Sequence, residues 1–128
     1  MKTYQDLRGH KQDFDVEYRL YSPSEGGYEK VLQHIRCDFA YRGDDIAETG
    51  IYMIHPEFLD PNGIPLPESS QVPMQGSASM WILIPAMRKE IHIKKLSVGV
   101  KGYFMYGSKR LGETTVSEIV DLHTNPTS

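Results

Sequence analysis

The sequence predicts an all-β domain, an antiparallel sandwich or barrel of six or seven strands, and three observations predict it. The stretch Lys95 to Leu122 reads as two strands joined at Gly107-Ser108. A two-residue hairpin turn needs a residue that accepts φ > 0 at its first central position, which glycine does without steric cost. Asp15 to Ser22 alternates, with Val16, Tyr18 and Leu20 on one side and Glu17, Arg19 and Tyr21 on the other, the pattern of a half-buried strand. Nowhere does the chain show a long helical period or a repeat that would mark a solenoid.

At 128 residues and 14.6 kDa the chain fits one domain with one core. Charged residues at 24%, hydrophobic ones at 39% and a mean hydropathy of -0.45 describe an ordinary soluble globule. A net charge of -3 and a pI near 5.9 argue against wholesale coating of nucleic acid, which draws on many Lys and Arg, but leave room for a local basic patch. The single cysteine, Cys37, has no internal disulfide partner, and no signal-like segment opens the chain, so a cytoplasmic location is expected. Met80 to Pro85, the longest apolar run, is far short of the ~20 residues a membrane helix needs.

Taken in order, residues 1–14 are polar and mixed in charge, an N-terminal arm or short helix before a domain spanning 15–124, with 125–128 as a tail. A turn at Ser24-Glu25-Gly26-Gly27 follows the first strand. Val31 to Tyr41 reads as a long second strand with Ile35, Cys37, Phe39 and Tyr41 facing inward. Ile51 to Phe58 is a third, and Pro56 within it marks an edge, because proline lacks the ladder donor. Asp60 to Pro73 holds four of the eight prolines and must be irregular. Ala78 to Ile84 is a fourth strand ended by Pro85. Ala86 to Ile93 fits either a helical turn or a strand. Lys95 to Tyr106 and Leu111 to Leu122 complete the set, the last with an imperfect period of two that puts apolar residues on both faces.

Several patches in order resemble the third domain of elongation factor Tu and its relatives. Val16 to Leu20 followed by Glu25-Gly26-Gly27 is similar to that family's first strand and glycine pair, and His34 to Tyr41 to its aromatic-rich second strand. Val72 to Gly76 looks like the turn into its fourth strand, and Ile91-His92, Gly99 to Lys101 and Gly107 to Gly112 with Val116 like its closing hairpin. The likeness covers residues 15 to 122 and implies a six-stranded antiparallel β-barrel. It also implies tRNA contact at Lys101, Lys109 and Arg110. No G-x-x-x-x-G-K-[ST] loop occurs, so nucleotide binding and hydrolysis are not expected.

Chemistry-bearing residues are scattered. The histidines, His10, His34, His55, His92 and His123, include no i, i+4 pair and no H-x-H, so no metal is expected. Cys37 falls with the inward parity of its strand and reads as core rather than nucleophile. Asp44-Asp45 reads as a solvated turn, and no G-x-S-x-G elbow frames the serines. The methionines, Met53, Met74, Met80, Met87 and Met105, read as core filler before they read as an adaptable protein-binding face. One grouping can form a contact surface: Lys94, Lys95, Lys101, Tyr103, Tyr106, Lys109 and Arg110, cations interleaved with tyrosines as on RNA-binding surfaces. The same lysines can instead guard sheet edges against aggregation. The function expected is therefore a non-catalytic binding module without cofactor, its site at Lys101, Tyr106, Lys109 and Arg110, with the loop near Pro65 as a second surface. The partner expected is a macromolecule, RNA or a translation-related protein. A protein-protein or homo-oligomerising domain is the first alternative, and a small enzyme with a pocket at His34, His55 or His92 the second.

Overall fold

Alternation in the first strand sets the frame of the structure, a computed structural model that describes residues 2–128. β1 (Phe14–Leu20) buries Phe14, Val16, Tyr18 and Leu20 and turns Glu17 and Arg19 outward. It is flanked by two strands far away in sequence, β4 (Gln75–Ile82) and β6 (Lys109–Ile119), both antiparallel to it. With β2 (Asp38–Tyr41), β3 (Ile54–Leu59) and β5 (Lys101–Tyr106) they make one six-stranded antiparallel sheet in the order β2-β5-β6-β1-β4-β3.

The sheet curls into a half-barrel. Two register shifts, both on β6, help it do so: one where Leu111 is inserted opposite Phe104 and Met105, the other where Ser117 is inserted opposite Asp15 and Val16. Such bulges increase local twist. The second also explains the imperfect period of this strand, because Val116 and Ile119 lie against inward-facing Val16 and Phe14 although three positions separate them. The edge strands meet through one bridge, Phe39 to Tyr52, with N–H···O distances of 2.9 and 2.8 Å in the two directions. Phe14, Phe39, Tyr18, Phe58 and Phe104 fill the interior as edge-to-face or tilted pairs with centroids 5.0 to 6.1 Å apart.

The closing hairpin forms as the sequence predicts. Tyr106 pairs with Lys109, Gly107 takes φ 59°, and Ser108 does not share the left-handed region, the pattern of a II′ turn. Pro56 does mark an edge, since β3 pairs with β4 alone. Residues 60–73 carry no strand or helix.

Two strands depart from expectation. The second strand is not Val31 to Tyr41 but only Asp38–Tyr41. His34 stands at φ 67°, which no strand tolerates, and the Gln33 amide beside it is used differently. Its Oε1 accepts from Phe58 N–H at 2.9 Å and its Nε2 donates to the Phe58 carbonyl at 2.8 Å, so a side chain imitates a peptide and caps the open edge of β3. Residues 85–95 are helical, as α3 (Pro85–Met87), a π-helical turn (Arg88–His92) and α4 (Ile93–Lys95), which settles the ambiguous stretch and shortens the fifth strand to Lys101–Tyr106. Burial decides it: Arg88 and His92, four apart, point the same way into the protein.

Segments near both ends of the described residues are tied down. α1 (Tyr4–Arg8) starts at a capping box between Thr3 and Asp6 and lies over the outer side of β3 and β4. A further short helix, α2 (Ile46–Thr49), bridges β2 and β3. Arg88 and Asp13 form a fully buried ion pair at 2.7 Å, joined by the Ile82 N–H and the Asn125 amide on Asp13, and by the Pro126 carbonyl on Arg88. That knot fastens residues 125 and 126 to the sheet.

Candidate partner-binding surface

Parity on β1, β5 and β6 builds one polar face. Arg19 of β1, Glu113 of β6 and Tyr103 of β5 lie in one cross-strand row, with Thr115 and Lys101 in the next. On the row, Arg19 contacts Glu113 at 3.3 Å and Glu25 at 3.0 Å, and its guanidinium sits 5.2 Å from the centre of the Tyr21 ring. Hydrogen bonds from Arg19, then from the Ser22 N–H, hold the Glu25 carboxyl down to about 2. Tyr21 donates to Glu113 at 3.2 Å; burial first, then this bond, raises its phenol.

The residues expected from the sequence divide into two groups. Lys101 and Arg110 belong to the polar face. Lys101 Nζ donates to Thr115 Oγ1 at 2.9 Å, and the Arg110 guanidinium lies 3.9 Å from the centre of the Tyr103 ring. Tyr106 and Lys109 sit at the hairpin tip, where Lys109 Nζ is 4.0 Å from the centre of Tyr28 and Tyr106 packs edge-on against that ring. Arg42, Lys101, Tyr103, Glu113 and Thr115 line a shallow cleft of about 250 Å³. Arg42 makes no ion pair among the described residues. Tyr103 and Lys95 carried the right residue types in sequence, and Lys95 does sit over a ring, 4.8 Å from Tyr41, but its ammonium is taken by Asp44 at 3.2 Å. Sequence reading missed Arg42, Arg19, Tyr21 and Tyr28. The polar parity of β1 pointed to Arg19 and Tyr21, but nothing local shows that β1 runs beside β6.

The expected second surface, near Pro65, is partly engaged within the chain: Pro65 bridges Leu59 and the Leu66 carbonyl accepts from Gln33. His34, His55 and His92 each have a partner within the chain. His34 Nε2 meets Glu57 at 2.8 Å beneath the stacked Tyr4 ring. His55 Nε2 is 3.5 Å from Asp38, and burial lowers its pKa against the pull of that carboxylate. His92 bonds the Tyr41 hydroxyl through Nδ1 at 2.7 Å, and burial pushes its pKa down to about 4. Cys37 is in the core, its thiol raised mainly by burial. Among the described residues no three His, Cys, Asp or Glu side chains gather as metal ligands. None of the described helices is long and apolar enough to cross a membrane.

No protein-family model matches this chain, and no significant match is found among curated proteins.

Proposed function

We propose that the chain is a non-catalytic binding module that takes single-stranded RNA across the outer face of β1, β5 and β6. The observation that carries this reading is the pairing of cations with rings on the surface, Arg110 on half-buried Tyr103 and Lys109 on exposed Tyr28 beside Tyr106. A guanidinium laid flat on a tyrosine is held in place by it and offers its other side to a base, while lysines nearby meet phosphates. Arg42 and Lys101 flank the adjoining cleft, where Thr115 adds a hydroxyl. One curled sheet of six antiparallel strands that includes this hairpin supports the likeness to the elongation factor Tu third domain, which belongs to the same proposal.

Fluorescence anisotropy with a labelled oligouridine of roughly 12 nucleotides, about the footprint of one such domain, tests the reading. Binding should weaken at least tenfold in the Lys101→Glu/Arg110→Glu double variant and stay within about twofold in Lys89→Glu, an exposed charge on the π-helical turn and not on that face, since such a charge adds little. Equal binding by wild type and the double variant would exclude the face.

A further inference from the structure

At the β3 edge of the sheet, apart from that face, the docked arm makes a second concavity. A cleft of about 480 Å³ is lined by Tyr4, Leu7 and Arg8 of the arm, Arg36 ahead of β2, Met53 and His55 at β3, and Leu83 beyond β4. The size falls within the ~300–1,000 Å³ typical of small-molecule sites. We propose that this cleft binds a small carboxylic acid with an apolar body, the carboxylate between Arg8 and Arg36 and the body on Leu7, Met53 and Leu83.

Four observations lead there. Arg8 and Arg36 line the same cleft beside Tyr4 and His55, and neither makes an ion pair among the described residues. Leu7 and Met53 are large apolar side chains left 60% and 47% exposed at this opening, where nothing of the chain covers them. Charge favours a monoanion: two guanidiniums line the opening, while the carboxylates of Asp38, 3.5 Å from His55, and of Glu57, on the Tyr4 N–H, lie beside it, leaving too little positive charge for a phosphate dianion. Finally, the wall is built rather than incidental. The Tyr4 N–H donates to buried Glu57 at 2.9 Å, and the Tyr4 ring stacks 4.6 Å from His34, a residue held at a left-handed φ of 67°. Backbone strain of that kind persists only where surrounding contacts fix it.

Titration of the isotope-labelled full chain with octanoate, followed by amide NMR, tests the site. Expected are saturable shifts at Leu7, Arg8, Met53 and His55, roughly tenfold weaker binding in Arg8→Gln and in Arg36→Gln, and similarly weaker binding of uncharged octanamide. Met53→Ser, which leaves both guanidiniums in place, should also weaken octanoate. Failure to saturate at millimolar octanoate, equal binding of octanamide, or tighter binding of phenyl phosphate would overturn the assignment. Because this cleft lies apart from the β1, β5 and β6 face, the outcome is independent of RNA binding.

Discussion

His92 is 1% exposed beneath Tyr41 and Tyr52, and burial holds its imidazole neutral until pH falls to about 4. In the unfolded chain the same ring protonates near pH 6.5, so between those values the unfolded state binds the extra proton. Stability should be intact above pH 6.5 and decline as pH falls toward 4, by at most about 3 kcal/mol from this group. His55, lowered in the same direction, adds to the trend. Thermal melts at pH 7 and pH 4.5 check it, and His92→Gln should flatten the slope. Asp13 and Arg88 make the sharper case, because each is essentially unexposed and the other is its ionic partner. Arg88→Met leaves a buried carboxylate unpaired and should cost about 3–5 kcal/mol in urea unfolding. Neither effect is legible in sequence: Asp13 and Arg88 stand 75 positions apart, and only the fold makes them neighbours.

At the scale of elements, strand parity was readable and strand length was not. Val16, Tyr18 and Leu20, then Cys37, Phe39 and Tyr41, point inward as their alternation foretells. The long strand assigned before Phe39 fails because Gln33 spends its amide on the edge of β3, a tertiary use that local propensity does not register. Bulges at Leu111 and Ser117 are equally silent in the sequence, although they account for the uneven period of β6. Two glycines test this level. A Cβ on Gly102 would stand 2.3 Å from the Phe39 ring and 2.9 Å from the Ala40 carbonyl oxygen. Gly102→Ala should therefore destabilise by about 1–3 kcal/mol through overpacking between β2 and β5. Gly107 meets no such obstacle but sits at φ 59°, so Gly107→Val should cost about 1 kcal/mol or more through backbone strain alone. Chemical denaturation of the pair separates crowding from turn strain.

Across the whole molecule, a chain with net charge -3 gathers Arg42, Lys101, Lys109 and Arg110 along one face and its turn. Local concentration of cations, not the overall balance, gives such a surface its affinity for phosphate. If all four engage a single strand, log affinity should fall with log salt with a slope of about -3. Sequence supplied the hairpin and three of these cations; Arg42 joins them only because β2 closes the sheet beside β5. The most direct test is an amide NMR map of the labelled chain with unlabelled oligouridine. Shifts confined to β1, β5, β6, Arg42 and Tyr28 would bear out the binding face. No shifts, or shifts that leave Tyr103 and Arg110 unmoved, would contradict it.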